Sequence, residues 1–211
     1  MRSFMRSGRQ NPHTLWIDDQ VKSLDHSDLQ KVAKEIARLE SDVWDSLGIS
    51  SSLSVQRVIQ DLINRKDVIC GVAYDKPEDI YGPYVAYILG YAVDPNDALH
   101  ATYIQNYEMI TGQSYEELLD EIPSHKLMLM LSWTKQFSAL GNRENAKLAF
   151  SLLRYLKKNK MGVGGEFRET TSYPIIMRFV ERGDFVLKLD EELPNYLGDG
   201  ETYRIVVGYF K

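Results

Sequence analysis

The stretch FSALGNRENAKLAFSLLRYLKKNKMG, Phe137 to Gly162, sets a loop with one glycine between an apolar strand and a strong helix. Such a junction can do chemistry. A helix N-terminus offers unbonded backbone amides and a partial positive charge, and glycine lets the backbone come close to a phosphate. Arg143 would add a cation there. The same residues also read as ordinary helix-start chemistry. Asn142 or Asn145 would then be the cap, with Glu144 in the first turn where the macrodipole favours an acid. Both readings stay open on the sequence.

Other constellations point to less. His13, His26, His100 and His125 are scattered without ligand spacing, and there is no His-Glu-x-x-His. Cys70 is the single cysteine, so paired cysteines are absent too and no metal site is expected. Cys70 lies in an apolar run and reads as a buried, inert thiol that excludes an internal disulfide. GVGGEF is glycine-rich but opens a strand, NYLGDG is turn chemistry, and no serine sits in a nucleophile-elbow pattern. Tyrosines are frequent. Tyr87 and Tyr91 could line one strand face that packs internally or meets a flat ligand. The segment Pro95–Ser124 carries Tyr103, Tyr107, Glu108 and Tyr115, then the acidic run Glu116, Glu117, Asp120 and Glu121. Acids beside aromatics suit an amine or a basic peptide; the plainer reading is a solvated amphipathic helix over a sheet edge.

The elements that must position these residues follow from periodicity. A strand is expected at Thr14–Asp18. A first helix carries Leu29, Val32, Ala33 and Ile36 on one face, with Ser27 and Gln30 as a capping box. A second helix after Ser54 buries Val55, Val58, Ile59, Leu62 and Ile63. Strands over Asp67–Asp75 and Tyr84–Asp94 flank a turn, KPEDIYGP. PNDALHATYIQNYEMITG is ambiguous, and a helix capped by Ser114 follows it. KLMLMLSW, Lys126–Trp133, is apolar at successive positions and so is a central strand with both faces covered. Then come a helix over Asn145–Asn159, a strand over Val163–Arg168, and a helix with Pro174 in its first turn and Gly183 at its end. Two last strands are joined by PNYLGDGE. The order predicts an α/β fold, a mixed sheet with helices on both faces.

Bulk properties bound the function. A chain of 211 residues with 44% hydrophobic and 26% charged residues suits one globular domain. A basic extension, residues 1–12, is expected to precede that domain at 13–211, with 95–124 as an insert. A net charge of -5 argues against general nucleic-acid binding. No apolar run follows the basic N-terminus or approaches the roughly 18 residues a membrane span needs. A cytoplasmic protein without membrane contact is therefore expected.

That order and those lengths resemble the GNAT superfamily of acyl-CoA N-acyltransferases. VKSLDHSDLQKVAKEI is similar to the family's opening, and DVICGVAYD with GPYVAYILGYAV resembles its second and third strands. KLMLMLSW with AKLAFSLLRYLKKNKMG resembles its fourth strand and cofactor helix, and SYPIIMRFVERGDF its last helix. The resemblance spans nearly the whole chain and implies a GNAT-like sheet whose fourth and fifth strands are parallel and splay apart.

It also implies a reaction, transfer of acetyl from acetyl-CoA to an amine of a small molecule or protein. Backbone groups of Leu131, Ser132 and Trp133 would hold the pantetheine arm. The family's phosphate loop reads Gln/Arg-x-x-Gly-x-Gly/Ala. Set on the helix expected at Asn145, it puts Gly141, Glu144 and Ala146 on the defined positions, and only Ala146 matches. Amides of Asn142, Arg143, Glu144, Asn145 and Ala146 would then meet the pyrophosphate, with Glu144 as an unfavourable charge and Arg143 compensating. In the last helix the family's asparagine, alanine and acid tyrosine become Ser172, Ile175 and Phe179. Tyr173 or Ser172 would have to face the thioester. Glu166, Glu169 and Glu108 are the carboxylates that could take the amine proton. These departures carry a second expectation: a catalytically degenerate protein of this fold, acting as a binding or structural component of a larger assembly. Virus-associated accessory proteins belong to the wider superfamily.

Overall fold

The computed structural model describes residues 14–17, 25–48, 57–58, 60, 62, 67–74, 82–94, 96, 98–170, 172–194 and 200–211. Its strands are β1 (Thr14–Ile17), β2 (Val68–Tyr74), β3 (Tyr84–Ala92), β4 (Leu127–Lys135), β5 (Gly162–Arg168), β6 (Phe185–Pro194) and β7 (Thr202–Phe210). They form one sheet in the order β1-β2-β3-β4-β5-β7-β6. β1 runs antiparallel to β2, and β7 runs antiparallel to both β5 and β6. β4 and β5 are parallel, pairing Leu127 with Gly162, Met128 with Val163 and Leu129 with Gly164. β4 then continues to Lys135 and β5 to Arg168. The two strands are thus parallel neighbours, as expected, and their paired stretch is shorter than either strand. Two glycines mark close backbone approach: a side chain at Gly90 would run into the Leu129 carbonyl, and one at Gly208 into the Val186 carbonyl.

The helices are α1 (His26–Ser46), α2 (Ala98–Thr111), α3 (Tyr115–Asp120), α4 (Ala139–Asn159) and α5 (Tyr173–Glu181). The ambiguous segment after β3 is a helix, α2. The cap of α1 is Asp25 and not Ser27: Asp25 Oδ1 accepts the Asp28 amide at 2.9 Å, so the helix opens two residues before the expected box. The cap of α3 is the expected one. Ser114 Oγ accepts the Glu117 amide while the Glu117 carboxylate accepts the Ser114 amide, a complete capping box. α4 begins at Ala139 rather than at Asn145. The basic extension, the KPEDIYGP turn up to Tyr81 and most of PNYLGDGE lie outside the described residues. So does most of the second expected helix, of which Arg57, Val58, Gln60 and Leu62 are helical and Val58 and Leu62 are buried.

Two compact units divide the chain. The first comprises Met1–Lys66, Cys70–Ile88 and Trp133–Leu152. Its α1 buries a stripe of Leu29, Val32, Ala33, Ile36, Leu39 and Val43, the spacing that its sequence period demands. The second comprises Asp67–Ile69, Leu89–Ser132 and Leu153–Lys211. Here the β5-β7-β6 register sorts residues by side, because opposed residues on neighbouring strands point the same way. Gly164, Glu166, Leu189, Ile205 and Val207 share one face, and Tyr115, Leu118 and Ile122 cover it from α3 and the turn after it. The other face carries Phe167, Asp190, Arg204 and Phe210, and α5 packs there, with Phe179 edge-on to Phe210 at 5.8 Å. Tyr87 and Tyr91 are fully buried, so these tyrosines are core. Among the described residues no helix is long and apolar enough to cross a membrane, and no group of three or more His, Cys, Asp or Glu could hold a metal ion.

Candidate functional site

Consecutive residues at the end of β4 reach opposite ways, as a pleated strand requires. Trp133 donates its indole N–H to Asn145 Oδ1 of α4 at 2.5 Å. Thr134 meets α1, where Trp44 Nε1 donates to its hydroxyl at 3.2 Å. Gln136 hangs from the neighbouring strand, its amide donating to the Val85 carbonyl at 2.9 Å and its side chain to the Tyr84 carbonyl at 3.3 Å. The chain then turns at Phe137 and Ser138 into α4.

Ser138 is the cap. Its Oγ accepts the Gly141 amide, and its carbonyl accepts the Asn142 amide, each at 2.9 Å. The turn closes so tightly that a side chain at Gly141 would run into the Gln136 carbonyl. Amides of Ala139 and Leu140, in the first turn, have no intrahelical acceptor and look out along the helix axis. A 21-residue helix thus ends on exposed donors directly after a central strand, a ready seat for an anion. Lys135 stands beside this turn, its Nζ 5.2 Å from the centre of the exposed Phe137 ring, and burial holds its pKa below the ordinary lysine value.

The residues expected to form the cradle sit deeper in the helix. Asn142, Arg143, Glu144, Asn145 and Ala146 occupy its first two turns, where amides bond back along the chain. Glu144 is fully buried and shares Oε1 between Arg143 Nε at 2.8 Å and Lys147 Nζ at 2.7 Å. Burial opposes its charge, but the hydrogen bonds from Lys147 and Arg143 prevail and its carboxyl titrates below the usual glutamate value. Both bonds go to Oε1, and Oε2 is buried without a hydrogen-bond partner. Set on the observed helix start, the pattern Gln/Arg-x-x-Gly-x-Gly/Ala falls instead on Gln136 to Gly141. Gln136 and Gly141 match, and Ala139 stands for the first glycine. The sequence held a signal for this register, a serine three residues before a glycine, but the two asparagines drew the helix start later.

Of the proton-transfer residues, Tyr173 and Glu166 come to opposite faces of the sheet. Tyr173, at the start of α5, donates its hydroxyl to Asp190 Oδ2 at 2.7 Å. Arg204 lies over its ring at 5.1 Å and donates Nε to Asp190 Oδ1 at 2.5 Å. Desolvation and then the bond to Asp190 raise its pKa, so Tyr173 keeps its proton through neutral pH. Glu166 is directly across from Ile205 on the face that α3 covers. Solvent reaches its side chain, yet protein surrounds it closely enough that desolvation raises its pKa. Ser172 heads α5 without a side-chain capping bond. Glu169 is exposed, 3.9 Å from Arg204 Nη1, and Glu108 accepts the Tyr115 amide at 2.9 Å, tying α2 to α3. Phe179 is buried core. Leu131 and Ser132 lie within β4 as expected.

This arrangement of sheet and helices is the fold of GNAT acetyltransferases. No protein-family model and no curated protein matches the chain. Solved structures do. NAA60 of Arabidopsis thaliana in complex with acetyl-CoA is similar at a TM-score of 0.53 and 12% identity, over 93% of this chain and 97% of that one. A GNAT-family acetyltransferase from Streptococcus pneumoniae gives 0.54 and 9%, over 94% and 99%. The NatC complex bound to Gag peptide and CoA gives 0.53 and 9%, also over 94% and 99%.

Proposed function

We propose that the chain is an acyl-CoA N-acyltransferase that moves acetyl from acetyl-CoA to an amine of a small molecule or protein. One observation carries this reading: α4 opens on a capped, glycine-closed turn directly after β4, in the Gln-x-x-Ala-x-Gly register. Amides of Ala139 and Leu140 would meet the pyrophosphate, aided by Lys135 and, one turn on, by Arg143. Backbone groups of Leu131 to Trp133 would bind the pantetheine arm where the β4–β5 ladder has ended. Acetyl-CoA supplies the activated thioester. Tyr173 would protonate the leaving thiolate, since it holds its proton at neutral pH. Similarity of fold to proteins crystallised with acetyl-CoA or CoA supports the reading. Titration calorimetry with acetyl-CoA tests it: saturable heat is expected, and none at millimolar ligand rejects it.

A second reading has its own observation. Phe179 offers no hydroxyl, and that of Tyr173 is given to Asp190. A protein so built could keep the fold and serve as a binding component of a larger assembly. It would enter a stable complex with a larger partner and bind no acetyl-CoA; a monomer turning over acetyl-CoA excludes it.

A further inference from the structure

The proposed reaction has a proton donor in Tyr173 and still needs a proton acceptor. Of the three carboxylates the sequence offers, Glu108 is held by the Tyr115 amide at 2.9 Å and Glu169 stands 3.9 Å from Arg204 Nη1. Glu166 differs. Its side chain is exposed, so a substrate can reach it, and no described side chain bonds it. Its address also differs. β4 and β5 pair from Leu127 with Gly162 to Leu129 with Gly164. Continuing that register by two residues sets Glu166 across from Leu131, the first residue of the segment assigned to the pantetheine arm. Glu166 shares its face with Ile205, while Phe167 beside it shares the opposite face with Arg204 and Asp190, to which Tyr173 is bonded. Paired strands bar passage from one face of a sheet to the other. The paired stretch stops two residues before Glu166. The carboxylate and the tyrosine therefore approach from opposite faces the place where one bond can be reached from both.

We infer that Glu166 takes the proton of the acceptor amine, which arrives on the α3 face of β5 while the thiolate leaves toward Tyr173 on the α5 face. The inference rests on the acyltransferase reading. An acceptor ammonium gives one proton to the Glu166 carboxylate. The freed nitrogen lone pair attacks the thioester carbonyl. The C–N bond forms, the C–S bond breaks, and Tyr173 protonates the thiolate. Nitrogen sheds its second proton, which restores the Tyr173 hydroxyl by way of solvent, and Glu166 returns its own proton to solvent. Surrounding protein raises the Glu166 pKa, which strengthens it as a proton acceptor. Other charged groups on or over this face are engaged: Arg168 with Glu201, Glu117 with the Ser114 amide, Asp120 with His125 and Glu121 with Lys188. Glu116 and Glu191 are exposed, and Glu191 lies on β6 beyond Ile205. Burial raises the pKa values of Tyr107 and Tyr115, so both stay neutral.

Calorimetry with acetyl-CoA and steady-state rates against a lysine-bearing peptide and a set of small primary amines test this. E166Q is expected to bind acetyl-CoA as the wild type does and to lose roughly 100-fold in kcat. Wild-type kcat should fall in acid as Glu166 takes up a proton, and E166Q should lack that fall. The deficit of E166Q should shrink as pH rises, because an amine arriving deprotonated needs no acceptor; a merely structural role would produce neither effect. E166D keeps the carboxylate and should recover part of the rate. A wild type that binds no acetyl-CoA rejects the acyltransferase reading. The inference alone is overturned if the wild type binds acetyl-CoA but acetylates none of these acceptors, if E166Q keeps its rate or loses it equally at every pH, or if E108Q or E169Q instead shows the pH-dependent loss.

Discussion

Glu144 shows how one side chain changes meaning with its address. Placed at the tip of α4 it would repel a phosphate; in the second turn it is a buried anion held by Arg143 and Lys147. Its lowered pKa makes it a source of stability at neutral pH. A carboxyl that titrates lower folded than unfolded stabilises above its unfolded value, about 4.3, and that contribution fades as pH falls through the folded value. E144Q should therefore melt below the wild type at pH 7, and the gap should close below about pH 4. Circular-dichroism melts across that range would show it; a gap that persists in acid would mean the loss is one of packing. The Glu144–Lys147 spacing was readable from the sequence as a helix pair. Its burial was not, because it depends on which turn of α4 comes first.

Helix starts were the least legible elements for the same reason. Ser114 was found as a cap at sight, since little else near α3 competes with it; its reciprocal partner Glu117 came from the structure. At α1, Asp25 and Ser27 both qualify, and at α4 Ser138, Asn142 and Asn145 all do; local chemistry ranks them nearly equal. The strand before α4 decides, because Gln136 is pinned to β3 and leaves Ser138 at the corner. Strands read better: the doubly apolar β4 appears where expected. The two serine caps separate stability from function. S138A and S114A should each cost about 1 kcal/mol in urea unfolding. Only S138A should also weaken acetyl-CoA, because only its turn holds the amides of Ala139 and Leu140. Equal acetyl-CoA affinity in both variants would move the anion seat elsewhere.

For the whole molecule, any ligand that binds only the folded chain raises its melting temperature by mass action. At a hundredfold excess of acetyl-CoA over Kd the gain is about 2.7 kcal/mol, or roughly 5–10 °C for a chain of this size. Differential scanning fluorimetry would detect it, and an unmoved midpoint would count against the acyltransferase. At this scale the parallel β4–β5 pair was legible, because a helix between consecutive strands returns the chain to the same end of the sheet. The β5-β7-β6 order was not, since hairpin partners and insertion between strands leave no local mark.

The tight approaches at Gly90, Gly141 and Gly208 bear on ancestry. At each, a neighbouring carbonyl occupies the room a side chain would need. Descendants of this chain can drift at most exposed positions, and the fold persists in solved proteins sharing only 9 to 12% of its residues. Those three positions cannot drift without moving backbone. Relatives that keep this backbone should therefore still carry glycine at the places of Gly90 and Gly208, and glycine or the next smallest residue, alanine, at that of Gly141.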